Sequence, residues 1–301
     1  MTTNVVPLPV HHIKKRISVV MVSYYTGPSL MESVSAMLAD TDILELIIVD
    51  NGNTISARQR LWALVENNNR VKIVQGHDNV GFGRACNYGA RLSKGDYVLF
   101  LNPDAVTEQG TAMRMADCGE GLTVPWIVGG NLQTVDGLEQ RGARRAALTP
   151  MAAVISFTPL HKLPGFKSIH LENLPLPKKP VEIPIVSGAC LMMDRESFDI
   201  LGGFDERYFL HVEDIDICRR VKLLGGDVFF VPDAKVMHYG STSKARIVKV
   251  ERSKLRGFIR YFWEYTSHWW SKTLLVLSIP FMYIAIMGRA WWLSVRKPWI
   301  E

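Results

Sequence analysis

Four short apolar runs that alternate with helix-like segments constrain the fold of this chain more than any other feature of its sequence. The runs cover residues 17–23, 45–50, 71–75 and 96–101. Each run is apolar almost throughout, which is typical of a strand that is buried on both faces. Apolar residues with helical spacing occupy residues 28–39, 55–66 and 82–93 between them. Strands and helices that alternate over short connections predict an α/β fold, with a mostly parallel sheet and helices on both of its faces.

Polar residues follow each of the four predicted strands. They are Ser23 and Tyr24, Asp50 and Asn51, residues 76–81, and residues 102–104. Because ligands of parallel α/β sheets bind at the carboxyl ends of the strands, we expect the functional site at this edge. The segment after the first strand reads SYYTGPS, which is neither the G-x-G-x-x-G of a dinucleotide fold nor a phosphate-binding P-loop. The sequence therefore indicates neither an NAD enzyme nor a P-loop NTPase.

Several side chains at these strand ends have the chemistry of a nucleotide and metal site. Asp50 can accept a hydrogen bond from a base-ring N–H, and the loop from Asn79 to Gly81 can bring backbone N–H groups to a phosphate. Arg84, one turn further on, can neutralise that phosphate. Asp104 can hold a hard cation such as Mg²⁺ or Mn²⁺. Taken singly, each residue also fits a purely structural role. Asp50 and the loop from Asn79 to Gly81 can belong to turns, Arg84 can be a solvated arginine, and Asp104 can be a helix N-cap.

Three acids are crowded at the start of a predicted helix in the second half of the chain. They are Glu213, Asp214 and Asp216. Crowded like charges can raise the pKa of one carboxyl toward that of a general base, although acids in a first helical turn are also favoured by the helix dipole alone. His238, which follows a predicted strand, is a metal-ligand candidate if the fold brings it to Asp104, and otherwise an ordinary histidine.

The C-terminal segment differs from the rest of the chain in charge and aromatic content. Residues 241–301 carry 11 Lys or Arg and 3 Asp or Glu, in a chain whose net charge is +6. They also hold six of the eight tryptophans, and the sixteen residues between Lys272 and Arg289 are uncharged. Aromatic and basic residues around an apolar segment favour a membrane surface. A helical hairpin packed on its own domain is the alternative, and the long aliphatic run argues against nucleic-acid binding.

The cysteines and the N-terminus favour a reducing compartment. Cys86, Cys118, Cys190 and Cys218 form no C-x-x-C pair, so neither a zinc ribbon nor a disulfide scaffold is indicated. Residues 1–16 lack an apolar stretch of signal-peptide length. We therefore expect a cytoplasmic protein that associates with the membrane through its tail.

Seven phrases and one histidine, in their order along the chain, resemble glycosyltransferase family 2, in its bacterial rhamnosyltransferase-like branch. They are VSYY (22–25), IIVDNGN (47–53), DNVGFGRACNYG (78–89), GDYVLFLNPD (95–104), SGACLMMDR (187–195), GGFDERYF (202–209), EDIDICRR (213–220) and the late His238. On this basis we expect an N-terminal extension at 1–16, a GT-A glycosyltransferase domain at 17–240 and a helical, membrane-associated tail at 241–301. Six prolines within residues 159–184 predict an irregular excursion inside that domain.

The resemblance implies a GT-A fold, which is a Rossmann-like, mostly parallel sheet flanked by helices, and an inverting transferase that uses a nucleotide sugar and a divalent metal. By this resemblance Asp214 would be the general base, and Asp104 and His238 would bind Mg²⁺ or Mn²⁺ with the donor diphosphate. The residues that would contact the nucleotide or substrate are Tyr24, Asp50, Asn51, Asn79, Gly81, Arg84, Asn102 and Glu213. Asn102 stands where the family's D-x-D motif has its first acid, so the metal would depend on a single carboxylate.

The same resemblance implies the substrates. The leading donor is dTDP-rhamnose, and the acceptor is a polyprenyl-diphosphate-linked glycan of bacterial surface polysaccharide synthesis, such as O-antigen, at the cytoplasmic face of the inner membrane. UDP-hexose and UDP-furanose donors stay open. Two alternatives come from other classes: a nucleotidyltransferase, which would have a Gly-rich basic loop after the first strand where this chain reads SYYT, and a catalytically silent, membrane-bound sugar-binding subunit.

Overall fold

The computed structural model describes residues 15–157, 163–240 and 247–296. The strands are β1 (Ile17–Ser23), β2 (Ile43–Asp50), β3 (Val71–Val74), β4 (Tyr97–Leu101), β5 (Ala105–Thr107), β6 (Trp126–Gln133), β7 (Arg144–Arg145), β8 (Val181–Glu182), β9 (Ile185–Val186), β10 (Cys190–Asp194) and β11 (Asp227–His238). The helices are α1 (Ser29–Ala39), α2 (Ile55–Asn67), α3 (Phe82–Leu92), α4 (Thr111–Gly119), α5 (Pro150–Phe157), α6 (Arg195–Leu201), α7 (Glu213–Leu223), α8 (Ile247–Tyr265) and α9 (Trp269–Arg296). Residues 1–14 of the predicted N-terminal extension, 158–162 around the start of the Pro-rich stretch, and 241–246 and 297–301 of the predicted tail lie outside the described residues.

The described residues form a nine-stranded central sheet and a small two-stranded sheet. The order in the large sheet is β3-β2-β1-β4-β10-β6-β11-β5, and β8 pairs with β11. The strands β3, β2, β1 and β4 are parallel, whereas β10 is antiparallel to both β4 and β6. β7 and β9 form the small sheet. The predicted α/β fold is confirmed, with a parallel first half and a mixed second half.

The four strands and three helices predicted for the first half all form, and their ends lie within two residues of the predicted ends. β1 is buried along its whole length. Its residues Ile17, Val19 and Met21 pack against α1, α2 and α4 on one face of the sheet. Val20 and Val22 pack on the other face, with residues of α3, α6, α7 and α8. A strand with apolar cores on both sides has to be apolar at every position, which is why these runs were visible in the sequence.

The strand ends that were expected to carry the site meet at one edge of the sheet. Ser23, the last residue of β1, is paired in register with Asp50, the last residue of β2. β4 lies on the other side of β1, with Phe100 paired to Val20, so it ends at the same edge. The residues after β1, β2 and β4 are therefore neighbours.

The two C-terminal helices are buried to different extents. α8 packs on the domain through Leu255, Phe258, Tyr261 and Phe262, each at most 6% exposed. α9 is largely exposed, since Leu274, Leu277, Phe281 and Ile284 are between 59% and 75% exposed. The segment Trp269–Gly288 is long and apolar enough to cross a membrane. The predicted tail thus contains one helix that belongs to the domain core and one apolar helix that does not.

The residues before α7 have an unusual backbone. His211 and Val212 have φ of 66° and 73°, in the left-handed region that non-glycine residues rarely adopt. Gly257 of α8 packs directly against them, because a Cβ at that position would lie 3.0 Å from Val212 Cγ2 and 3.3 Å from the His211 carbonyl oxygen. α8 therefore holds the segment that leads into α7.

Candidate active site

Asp50 is buried at the end of β2 and organises the turn that follows. Its Oδ1 accepts hydrogen bonds from the backbone N–H of Gly52 (3.2 Å) and from the backbone N–H and Nδ2 of Asn53 (2.9 and 2.8 Å). Its Oδ2 accepts from Arg58 Nε at 2.7 Å. A carboxylate oxygen has two lone pairs. Among the described residues Oδ2 accepts the Arg58 hydrogen bond, so it can accept one more from a ligand.

Asn51 joins β2 to the loop that precedes α3. Its Oδ1 accepts from the Val80 N–H at 3.0 Å, and its Nδ2 donates to Asn79 Oδ1 at 3.2 Å. Asn79 Oδ1 also accepts from the Gly81 N–H at 3.0 Å. Gly81 has a φ of 93°, and a Cβ there would lie 2.5 Å from the Phe209 carbonyl oxygen, so the position requires glycine. The fold thus brings the predicted residues Asn51, Asn79 and Gly81 into one network.

Two other residues predicted to contact the nucleotide already have protein contacts. Arg84 Nε donates to Glu206 Oε2 at 2.8 Å, and Glu206 Oε1 accepts from Asn87 Nδ2 at 3.1 Å. Tyr24 is half-buried, and its ring meets the Tyr25 ring edge-on with the centroids 4.7 Å apart. Arg84 is therefore oriented by a carboxylate, and its side chain remains 42% exposed at that position.

Asn102, Asp104 and His238 form a second cluster at the same sheet edge. Asp104 precedes the short strand β5, so it is not the N-cap of a helix. His238 Nε2 lies 3.2 Å from Asp104 Oδ1, and Asn102 Nδ2 lies 3.2 Å from the same ring nitrogen. His238 Nδ1 lies 2.6 Å from Gln140 Oε1, a partner that can only accept. β11 pairs with β5 and so brings His238 to Asp104, although 134 positions separate them in the sequence.

These side chains fit a divalent cation. In the neutral tautomer that donates Nδ1–H to Gln140, Nε2 of His238 keeps its lone pair, which accepts from Asn102 Nδ2 and lies beside the Asp104 carboxylate. Two facing acceptor atoms are stabilised by a cation between them. No group of three or more His, Cys, Asp or Glu side chains that could hold a metal ion occurs in the described part of the chain. Mg²⁺ and Mn²⁺ sites that use few protein ligands are completed by the phosphates of a substrate, which agrees with this pair.

Glu213 and Asp214, the first two residues of α7, have different partners. Asp214 Oδ2 accepts from Arg145 Nη2 at 2.6 Å and from the Gly188 N–H at 3.1 Å. The side chains of Asp214 and Arg145 are 15% and 12% exposed. Glu213 is 6% exposed, and its Oε2 has no hydrogen-bond partner among the described residues. The third acid, Asp216, is bonded to Arg220 Nε at 2.8 Å and belongs to the helix core.

The two adjacent carboxyls therefore have pKa values shifted in opposite directions. Burial raises the pKa of Glu213 well above its usual range, and the neighbouring charge of Asp214 adds to the effect. Burial also opposes ionisation of Asp214, but the Arg145 guanidinium and the Gly188 N–H outweigh it and hold the pKa of Asp214 below its usual value. At neutral pH the start of α7 therefore carries an ionised Asp214 beside a Glu213 that favours its neutral form.

The sequence analysis did not single out three residues that orient site side chains. They are Arg145, which contacts Asp214, Gln140, which contacts His238, and Glu206, which contacts Arg84. Arg145 ends a basic run, RGARR at residues 141–145, which is the one local signal that could have drawn attention to it. Its partner Asp214 lies 69 positions further on. The pairing of β7 with β9 places Arg145 beside α7, and no local pattern encodes that pairing.

Known proteins are similar in sequence to this chain over most of its length. The model of the family described as glycosyl transferase family 2 matches residues 18–202. The N-acetylglucosaminyl-diphospho-decaprenol L-rhamnosyltransferase of Mycobacterium tuberculosis is 30% identical over 246 residues, which cover 76% of this chain and 77% of that protein. The rhamnosyltransferase WbbL of Escherichia coli is 20% identical over 261 residues, which cover 81% of this chain and 91% of that protein.

The fold is shared with solved glycosyltransferase structures. A crystal structure of GalNAc-T7 with UDP, GalNAc and Mn²⁺ superposes with a TM-score of 0.63 at 17% identity, over 83% of this chain and 48% of that chain. At this identity the similarity concerns the fold alone, which is the GT-A fold that the sequence phrases implied. The family match covers more than half of the chain and includes the strand ends that carry Asp50 and Asp104. The chain therefore belongs to glycosyltransferase family 2, and it is a glycosyltransferase with a GT-A fold.

Proposed function

We propose that this enzyme transfers L-rhamnose from dTDP-rhamnose, with inversion at the anomeric carbon, onto a sugar that is linked through diphosphate to a polyprenyl carrier. The observation that carries the choice of donor and acceptor is the 30% identity with the Mycobacterium tuberculosis protein, whose name specifies an L-rhamnosyltransferase and a diphospho-decaprenol acceptor. The WbbL protein of Escherichia coli, also named a rhamnosyltransferase, supports the same donor sugar.

Asp214 is the general base of the proposed reaction. An inverting transfer needs one carboxylate on the side of the sugar opposite the leaving diphosphate, where it takes the proton of the acceptor hydroxyl as the oxygen attacks C1. The ion pair with Arg145 keeps Asp214 ionised, so it is ready to accept that proton at neutral pH. The Gly188 N–H fixes the direction of the same oxygen.

Asp104 and His238 hold the donor diphosphate at the other side of the proposed site. A divalent cation bound between them would neutralise the charge that develops on the leaving diphosphate. Gln140 orients the His238 ring through Nδ1, and Asn102 contacts Nε2. Asn102, which stands in place of the first acid of the D-x-D motif, still makes a polar contact with His238, but Asp104 is then the single carboxylate of the motif.

The nucleotide lies along the ends of β1 and β2 in this proposal. Asp50 Oδ2 accepts a hydrogen bond from the base, since one of its lone pairs is available beside Arg58. Tyr24 packs against the nucleoside, and the loop fixed by Asn51, Asn79 and Gly81 lies along it. Arg84 approaches the phosphates from α3, and Glu213 contributes a neutral hydrogen-bonding group near the sugar.

In this proposal the enzyme acts at the cytoplasmic face of the bacterial inner membrane, where it would meet a lipid-linked acceptor. α9 supports this location, because its apolar side chains are exposed and its segment Trp269–Gly288 is long enough to enter a bilayer. A soluble helix would have to bury such a surface on a partner.

Calorimetric titration with dTDP and with UDP, each in Mn²⁺ and again in EDTA, tests the donor side. We expect dTDP to bind more tightly than UDP and to lose affinity in EDTA. Incubation of dTDP-rhamnose with a short-chain polyprenyl-diphosphate-linked N-acetylglucosamine should then give a rhamnosylated lipid with the inverted anomeric configuration. A preference for UDP would replace rhamnose with a UDP-hexose or UDP-furanose donor. Failure to bind either nucleotide, or to hydrolyse any donor, would favour a silent sugar-binding subunit.

A further inference from the structure

A cavity of about 140 Å³ lies beside Asp214. Its walls come from the start of α7, from the segment around the small sheet and from one side of α8. Four of the lining side chains are cationic or become so on protonation, namely Arg145, His170, His211 and Lys254. At about 30 Å³ for each water molecule, the cavity has the volume of four or five waters, which is enough for a phosphate group.

The cavity carries more positive than negative charge at neutral pH. Arg145 and Lys254 are positive, and Asp214 is the one lining carboxylate that its surroundings keep ionised. Glu213 also lines the cavity, but burial favours its neutral form. An anion therefore gains from entering even when both histidines are neutral.

Arg145 has hydrogen-bonding capacity that the protein does not use. Its Nη2 donates to Asp214 Oδ2 and, at 3.0 Å, to the Val186 carbonyl oxygen. Its Nε is buried and has no hydrogen-bond partner among the described residues. Leaving a buried donor unpaired is unfavourable, and a guanidinium that presents several N–H groups in one plane is well suited to phosphate.

We propose that this cavity binds the phosphate group through which the acceptor sugar is attached to its lipid. The inference rests on the proposed function, which supplies a diphosphate-linked acceptor. A phosphate held by Arg145 and Lys254 would fix the attached sugar beside Asp214, because Arg145 both lines the cavity and contacts Asp214. α8 lines the cavity and is followed in the chain by α9, whose exposed apolar side chains would suit the lipid. Asp104 and His238, assigned to the donor diphosphate, are not among the lining residues.

Titration of the full-length protein with inorganic pyrophosphate and with farnesyl diphosphate, both in EDTA, tests this site without a metal at the donor side. We expect both ligands to bind, and Lys254→Ala to weaken both by at least about tenfold. Arg256→Ala is the matched control, because Arg256 is an exposed cation on the same helix and does not line the cavity. Its affinity for both ligands should stay within about twofold of the wild-type value.

A second variant and a second ligand keep the test independent of folding and of the proposed donor. Lys254→Arg should retain pyrophosphate binding, and the thermal unfolding midpoint of Lys254→Ala should stay near the wild-type value. Equal losses in Lys254→Ala and Arg256→Ala would reduce the effect to the general attraction of a basic helix and overturn the site. Pyrophosphate binding without farnesyl diphosphate binding would overturn the lipid-linked source. If the wild-type protein binds pyrophosphate but does not bind dTDP, the proposed donor is contradicted and this site remains supported.

Discussion

At the scale of single residues, two adjacent carboxyls of α7 are kept in different protonation states by their surroundings. Asp214 has the Arg145 guanidinium and a backbone N–H as partners, whereas Glu213 is buried and its Oε2 has no partner in the part of the chain that the structure describes. One of the three crowded acids does have a raised pKa, and it is Glu213; burial is the main cause, and the neighbouring charge of Asp214 adds to it. The sequence could not distinguish the two because the distinguishing partner, Arg145, lies 69 positions away.

Replacement of Asp214 by asparagine should abolish transfer with little effect on the donor. An amide cannot take the hydroxyl proton, and general bases contribute about 10²–10⁴-fold to rate, so we expect kcat to fall at least about a hundredfold. Affinity for dTDP in Mn²⁺ should stay within about twofold, as measured by calorimetry. Asp199→Asn, the same change at an exposed position, should leave both quantities unchanged. Undiminished turnover of Asp214→Asn would remove the residue from the role of base.

Glu213→Gln should be more stable than the wild type at alkaline pH. The unfolded chain releases the Glu213 proton near pH 4.3, whereas the folded protein retains it to higher pH, so wild-type stability falls as the pH rises from there. Glutamine has no such dependence. Between about pH 5 and about pH 8 the variant should gain at least about 1.4 kcal/mol relative to the wild type, which corresponds to one pKa unit.

Urea unfolding of both proteins across this pH range measures the difference. The groups that face Glu213 are Asp214 and Asp216 on α7, Arg145 on β7 and Cys86 on α3, and all four are common to both proteins. The difference between the two stability curves therefore reports the titration of Glu213 together with its coupling to Asp214. Parallel stability curves for the two proteins would mean that Glu213 ionises normally in the folded state.

At the scale of elements, the two C-terminal helices have different roles. α8 buries Leu255, Phe258, Tyr261 and Phe262 on the domain, while α9 leaves its apolar side chains exposed. The composition of residues 241–301 indicated an apolar, basic segment, and the apolar helix is present. Composition could not reveal that this segment consists of one buried helix and one exposed helix. The buried face of α8 packs on the loop that precedes α7, and that surface exists only in the folded protein.

Introducing two negative charges on the exposed face of α9 should weaken membrane binding. Leu277 and Phe281 are 62% and 75% exposed and lie one helical turn apart. Burial of such side chains in a bilayer contributes roughly 1.5–3 kcal/mol each, so the double variant Leu277→Glu with Phe281→Glu should bind vesicles of phosphatidylcholine and phosphatidylglycerol at least about tenfold more weakly. Co-sedimentation measures the bound fraction.

Two exposed leucines elsewhere provide the control for this experiment. Leu223 and Leu224, at the end of α7, are 59% and 55% exposed. Their replacement by glutamate changes charge and apolar surface equally and should leave vesicle binding unchanged. If both double variants lose binding equally, α9 is not the membrane contact and the attraction is electrostatic.

At the scale of the whole molecule, the first half of the fold could be predicted strand by strand, whereas in the second half only single elements could be, such as the helix at Glu213 and the strand before His238. β1, β2 and β4 are buried along most of their length, so their apolar runs stand out in the sequence, whereas the edge strand β3 is buried only at Val71. β10 is also apolar, but its place depends on Cys190 pairing with Leu101 on one side and Leu191 with Gly129 on the other. Such contacts between distant segments leave no local pattern, and the same is true of the pairing that brings His238 to Asp104.

Truncation should show where the folded domain ends. A chain of residues 1–268 lacks α9 and should unfold in urea with nearly the full-length free energy. A chain of residues 1–246 also lacks α8 and exposes the surface that Leu255, Phe258, Tyr261 and Phe262 cover. At roughly 1.5–3 kcal/mol for each buried side chain, it should lose on the order of 5 kcal/mol or more and be largely insoluble. Equal stabilities would mean that α8 is an appendage.

The position of β6 in the sheet also has a consequence for biosynthesis. Both of its neighbours, β10 and β11, come later in the chain. A ribosome that adds about 5–20 residues per second completes them on the order of ten seconds after β6 has been made. During that interval the nascent chain can assemble β1–β4, while residues 126–132, all buried in the folded protein, have no strand partner. This segment is therefore where newly made chains are open to aggregation and to capture by chaperones, and fast translation or high expression increases that loss.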